Sequence, residues 1–246
     1  MSARILALET STLSCSVALF DGNACVHAEQ RCKEQHVHAS NLLPMIDAAL
    51  KAAGWQASDL SAVAVCAGPG SYTGLRIGTS TAKGICHAQS IPLIAINSLE
   101  IQAYHVLNVG ALHVGSTVLA VMDARRDEIY TQAFRWSGER FDALDKTRAL
   151  VIDASAALDA LFPHGTDGAI VVGDAAEKTQ RLLKGKASGW TFIAAHPTAE
   201  CAGIPARIAW ADKRFEDVAY FTPAYLKDFQ AGQPKDPLGL RKSISA

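Results

Sequence analysis

The segment richest in chemistry is Gly68-Pro69-Gly70-Ser71-Tyr72-Thr73-Gly74-Leu75-Arg76-Ile77-Gly78. It follows a short apolar run and leads into a helical pattern, so it reads as a glycine turn from a buried strand into a helix N-terminus. Such a turn offers free N–H groups and the positive end of a helix dipole to an anion. The same spacing also suits a plain tight strand-to-helix connection, and both readings stay open. Two phosphate motifs are excluded. No Gly-Lys-Ser/Thr closes the segment as in a P-loop, and Thr73 stands where G-x-G-x-x-G needs its third glycine.

Other reactive residues form no catalytic pattern. His36 and His38 are two apart at a helix entrance, without acidic or cysteine neighbours, which favours a solvated or capping role over a metal pair. His105 and His113 share no motif. Gly70-Ser71-Tyr72 lacks the closing glycine of a G-x-S-x-G elbow, and no H-E-x-x-H exists. The six cysteines (Cys15, Cys25, Cys32, Cys66, Cys86, Cys201) include no C-x-x-C pair, so neither a zinc knuckle nor a disulfide framework is expected. No catalytic residue is assigned.

The elements that position the glycine segment are legible. Residues 5–8 and 14–20 read as strands, with Asp21-Gly22 as a hairpin turn and 24–30 as the return. A helix is expected at 41–53, capped by Ser40 or Asn41, with Pro44 in its first turn and Gly54 at its end. A buried strand at 62–67 precedes the glycine turn, and a helix at 73–89 follows it. Strand 92–96 and helix 98–106 come next. Beyond them, strands are expected at 118–122, 128–134 and 169–172, and helices at 154–162, 175–183 and 199–213, the last kinked or broken at Pro205. This order is mixed α/β. A boundary near 100–115 divides the chain into 1–105 and 106–232, followed by a mobile tail from 233. No strong repeat is visible.

Two helices look suited to a partner. Leu42, Leu43, Ile46 and Leu50 share a face of the first. On the second, Gly74, Gly78 and Ala82 line up with Leu75, forming a small-residue stripe. Each interior glycine costs about 1 kcal/mol against alanine, and close approach of another element offsets that. The approaching element is either the chain's own sheet or a helix of another chain.

Composition narrows the class. The 246 residues are 49% apolar and 19% charged, as in ordinary globular proteins. A net charge of −1, from 23 basic and 24 acidic residues, lacks the basic excess of a strong nucleic-acid binder. If the protein works on RNA, a partner holds most of it. Residues 1–8 are too short an apolar run for a secretory leader, and no stretch reaches the roughly 20 apolar residues of a membrane helix. A reducing cytoplasm is expected, with no membrane.

Several segments together resemble the TsaB/TsaD family. Ile5-Leu6-Ala7-Leu8-Glu9-Thr10-Ser11 is similar to its opening I-L-x-I-[DE]-T-S, and Gly68 to Gly78 to its G-P-G-S-[YF]-T-G-L-R-[IV]-G. His38 with Leu42-Leu43-Pro44-Met45-Ile46 resembles H-S-x-x-L-L-P-x-I, although Ala39 replaces the serine. Met122-Asp123-Ala124-Arg125-Arg126-Asp127-Glu128-Ile129-Tyr130 resembles M-D-A-R-x-x-E-[VI]-Y of the TsaB branch, and Pro223-Ala224-Tyr225-Leu226-Lys227 its closing P-x-Y-[LV]-[RK].

The resemblance implies an actin-like fold (shared by sugar kinases and Hsp70-like ATPases) with two related lobes of mixed sheets flanked by helices. It also implies a role in placing threonylcarbamoyl on the tRNA adenosine beside the anticodon. The catalytic TsaD branch carries a metal pair H-x-x-x-H, and Ser98 and Gln102 stand at those places here. Both are poor transition-metal ligands, so the branch implied is the non-catalytic one, with no metal. The implied partners are a TsaD-like catalytic subunit, a TsaE-like ATPase and a second copy as homodimer, with tRNA held indirectly through the complex. Glu9, Thr10 and Ser11 fall where this superfamily places its first phosphate loop. With Gly68, Gly70 and Ser71 they form a candidate ATP or ADP site. The alternative implied function is an actin-like ATPase or small-molecule kinase. The implied partner interface comprises Leu42, Leu43, Ile46, Leu50, Gly74, Leu75, Gly78 and Ala82.

Overall fold

The protein is represented by a computed structural model that describes residues 2–32, 38–110, 112–151, 168–183 and 188–227. His36, the helix expected at 154–162 and the tail from 233 lie outside the described residues.

β1 (Arg4–Glu9), β2 (Ser14–Asp21) and β3 (Ala24–Cys32) form the expected antiparallel meander. Its second turn is Gly22-Asn23 rather than Asp21-Gly22. Asp21 is still paired with Ala24, and of the two loop residues Gly22 takes positive φ, at 56°. β4 (Ala62–Cys66) and β5 (Leu93–Ile96) add parallel strands beyond β1, in the order β3-β2-β1-β4-β5. β4 is buried at every residue, as its unbroken apolar run requires.

The second sheet repeats this plan. β6 (Thr117–Asp123) pairs antiparallel with β7 (Glu128–Trp136), and β10 (Ile170–Gly173) and β11 (Thr191–Ala194) lie parallel beyond β6. With β8 (Phe141–Ala143) the order is β11-β10-β6-β7-β8, and β9 (Arg148–Val151) also pairs with β7. Reading β6 for β1, β7 for β2, β10 for β4 and β11 for β5 gives the same neighbours and directions. The chain is therefore an architectural duplication that its residues do not advertise. β8, β9 and β11 were not expected from sequence. They have three or four residues each and are partly exposed, so no apolar run marks them.

α1 (His38–Ala53) starts three residues earlier than the spacing predicts. Ser40 and Asn41 are therefore inside the helix, and Pro44 falls in its second turn, where it removes one ladder donor. Gly54, at φ 68°, ends the helix with Gly54 N donating to Lys51 O and Trp55 N to Leu50 O, a Schellman closure. α2 (Tyr72–Gln89) is capped by Ser71, whose Oγ accepts from Gly74 N, and α3 (Ser98–Tyr104) by Asn97, whose Oδ1 accepts from Leu99 N. α3 packs on β6, β7 and β10. α4 (Ala176–Leu182) follows β10.

The helix expected at 199–213 begins as a 3-10 turn, Glu200–Ala202, and becomes α5 (Gly203–Ala211). Pro205 lies in the first turn of α5, where its missing N–H has no intrahelical partner, so the helix does not break there.

From Asp212 the chain runs without helix as a strap along α2. Glu216 bridges to Leu93 at the edge of the first sheet. Lys83 Nζ donates to Ala219 O and Phe221 O, and Tyr225 reaches Tyr72. The main core draws on both sheets. Among the described residues no helix is long and apolar enough to cross a membrane.

Candidate functional site

The turn after β1 and the turn after β4 are clamped together. Gly68 (φ 97°) and Gly70 (φ 153°) take backbone conformations that residues with side chains rarely adopt. Ser71 N donates to Ser11 O at 2.6 Å, and Thr10 N donates to Cys66 Sγ at 3.2 Å. Side chains on Gly70, Gly74 and Gly78 would collide with Ser11 O, Thr10 O and Thr10 Oγ1 respectively. The glycine stripe of α2 thus receives the chain's own β1–β2 turn. The N–H of Ser71, which an anion would need, is bonded to a carbonyl. As placed, that N–H is closed to a phosphate at this turn.

Glu9, Thr10 and Ser11 are buried at the centre of this clamp. Glu9 Oε1 accepts from Ser11 N at 2.6 Å and Ser11 Oγ at 2.5 Å, while Oε2 has no partner among the described residues. Burial pushes the Glu9 carboxyl up to about 7, against the opposing pull of the Ser11 hydrogen bonds.

Ser98 and Gln102 are 0% exposed on α3, and neither Ser98 Oγ nor the Gln102 amide atoms find a hydrogen-bond partner among the described residues. Among those residues, no group of three or more His, Cys, Asp and Glu is placed to hold a metal. His38 was expected to be solvated or capping. It is instead buried, with Nε2 at 3.3 Å from Ser14 O, and ties α1 to β2. His105 is half-buried beside Cys201 (Nδ1 to Sγ 3.9 Å), and burial lowers its pKa.

A second polar cluster lies at the β6–β7 turn. Asp123 Oδ1 accepts from Lys178 Nζ at 2.6 Å and Arg125 N at 2.9 Å, and Asp123 N donates to Asp174 Oδ1 at 2.9 Å. Burial raises the Asp174 pKa. Arg125 and Arg126 both have left-handed backbone, φ 69° and 51°. Lys227 of the strap pairs with Glu128 and donates to Ala124 O. Asn97 Nδ2 links the first half to the second through Gln132 Oε1 (3.1 Å) and Thr147 Oγ1 (2.7 Å). No sequence signal marked Asn97, Lys178 or Lys83, because their partners are far away in the chain.

Of the expected partner residues, Leu42, Ile46, Gly74, Leu75, Gly78 and Ala82 are buried within the chain. Leu50 is half-buried, and Leu43 is 59% exposed. Leu43 therefore presents apolar surface on α1, with exposed Pro44 beside it in sequence, and Leu13 of the β1–β2 turn is exposed as well.

The duplicated sheets with their clamped turns define a two-lobed α/β protein of the actin-like fold. The family model described as "TsaD: tRNA N6-adenosine threonylcarbamoyltransferase" matches residues 32–232. The chain belongs to this family, on its TsaB branch. It is 35% identical over 150 residues to the tRNA threonylcarbamoyladenosine biosynthesis protein TsaB of Escherichia coli (strain K12), covering 58% of this chain and 62% of that one. It is 37% identical over 126 residues to TsaB of Haemophilus influenzae, covering 51% of each. These matches thus span only about half to three-fifths of those relatives' lengths. The solved structure of YeaZ from Pseudomonas aeruginosa superposes with a TM-score of 0.79 at 27% identity, over 91% of this chain and 100% of that one.

Proposed function

We propose that this chain is the non-catalytic partner of a TsaD-like subunit in the assembly that transfers threonylcarbamoyl to the tRNA adenosine beside the anticodon, with a TsaE-like ATPase as third component. The observation that carries this reading is the burial of Ser98 and Gln102 where the catalytic branch has its metal pair. Neither residue reaches solvent, and neither side chain supplies a strong metal ligand. The clamped turns add support, because the glycine segment is used for internal packing and its Ser71 N–H is taken by Ser11 O.

The partner-facing surface in this reading is the outer side of α1 at Leu43 and Pro44, with Leu13 beside β2. Exposed apolar residues of this kind suit the core of a contact. The same surface is proposed to join two copies when the catalytic subunit is absent, since isologous pairing needs one self-complementary patch. The test is co-expression with the TsaD-like subunit, followed by copurification and a threonylcarbamoyl-transfer assay with each subunit alone and both together. Transfer by this chain alone, or failure of the two to copurify, would sink the reading.

A further inference from the structure

Cationic and aromatic groups alternate along one side of the molecule. The Arg76 guanidinium lies 4.3 Å from the centre of the Tyr72 ring. The Tyr72 and Tyr225 ring centres are 4.6 Å apart. Two residues along the strap, Lys227 Nζ reaches Ala124 O at 3.3 Å and lies 5.6 Å from the Tyr130 ring. Ala124 leads directly into Arg125 and Arg126, whose left-handed backbone turns the hairpin tip outward with both residues exposed.

Three separate segments build this row: α2, the strap and the β6–β7 hairpin. The hairpin acids are largely engaged. Asp123 pairs with Lys178, and Glu128 pairs with Lys227. Arg125 and Arg126 make no side-chain hydrogen bond or ion pair among the described residues, and Asp127 is the neighbouring exposed acid.

We propose that this row is a direct RNA contact, in which guanidinium groups meet phosphates and the exposed Tyr225 ring, backed by half-buried Tyr72, stacks an unpaired base. Arginine and lysine on a backbone path interleaved with ring faces are the elements of single-strand recognition. An acidic peptide would use the cations but leave the exposed Tyr225 ring without a role. Unstacked loop bases can use both. The inference rests on the proposed role in a tRNA-modifying assembly and adds that this subunit touches the RNA itself. A net charge of −1 fits a surface that orients RNA while a partner supplies most of the affinity.

The test uses the full chain and a labelled anticodon stem-loop RNA, with fluorescence anisotropy across a salt series. Wild type should bind weakly, with salt-dependent affinity. Arg126→Glu, and separately Arg125→Glu and Arg76→Glu, should weaken binding and lower the log–log salt slope by about 1 each. Tyr225→Ala should weaken binding about fivefold or more with the slope unchanged. Lys51→Glu, on α1 away from the row, is the control that should bind as wild type does. Circular dichroism confirms folding, and the arginine variants keep the test sharp if Tyr225→Ala unfolds the strap.

The proposal is overturned if wild type does not bind, or if the arginine variants bind as wild type does. It is also overturned if those variants lose the TsaD-like subunit while keeping RNA, for the row then faces protein. Wild type failing to copurify with that subunit would sink the partner reading and leave the RNA titration to be judged separately.

Discussion

The carbonyl oxygen of Thr10 occupies the space that a side chain on Gly74 would need. Two segments more than sixty residues apart in the chain are thereby pressed backbone to backbone, and the contact determines how α2 seats on the first sheet. Gly74→Ala must push a main-chain atom, which cannot swing away as a side chain can. The expected loss is about 3 kcal/mol, the upper range for overpacking. Gly84 in the same helix has nothing within 4 Å of an added Cβ. Gly84→Ala should therefore stabilise by up to about 1 kcal/mol through helix propensity. Urea unfolding of both variants checks the contrast, and equal effects would contradict the clamp.

Glu9 makes stability depend on pH. Its carboxyl is pushed up to about 7 in the folded protein from an ordinary 4.5, by burial. The folded state therefore holds a proton that the unfolded state releases between these values. The contribution is fully present below pH 4.5 and is lost as pH rises through 7, amounting to about 3 kcal/mol. Glu9→Gln keeps an oxygen for the Ser11 donors and removes the titration. The variant should gain stability over wild type as pH rises from 5 to 8. A wild-type-minus-variant difference that stays flat across this range would show that Glu9 is not held protonated.

Leu42 and Leu43 are neighbours in sequence with opposite fates. Leu42 is 1% exposed and Leu43 is 59% exposed. Leu42→Glu buries an unpaired charge and should unfold the chain or cost several kcal/mol. Leu43→Glu should leave circular dichroism and melting unchanged while reducing self-association and capture of the TsaD-like subunit at least tenfold. Undiminished binding by folded Leu43→Glu would place the contact on another face.

Asn97 caps α3 and reaches Gln132 and Thr147 across the two halves. Asn97→Ala should cost about 2 kcal/mol, from the lost cap together with polar groups left short of a donor. Asn97→Asp retains the cap oxygen and should recover part of that, since its carboxylate cannot donate to Gln132. Asn97→Asp as stable as wild type to chemical unfolding would mean that the cross-half bonds contribute nothing.

Local pattern determined a good deal about this protein. Apolar runs marked β1, β2, β4, β5, β6, β7 and β10, and the glycine segment marked the turn into α2, because each depends on neighbours in sequence: side-chain alternation, a cap, a residue free to take positive φ. The periodicity of α2 also showed that Gly74, Gly78 and Ala82 share one face. It could not say what fills that face. The chain's own Thr10 does, so the small-residue stripe belongs to internal packing, and of the expected partner residues Leu43 is the one left exposed. Likewise, β8, β9 and β11 owe their strands to pairing with β7 and β10 rather than to any run of their own. The ladder that holds them is contributed by residues elsewhere in the chain. The duplicated sheet plan was hidden for the same reason. Strand order is a property of hydrogen bonds between distant segments, and very different residues satisfy it once each strand has an apolar face to bury.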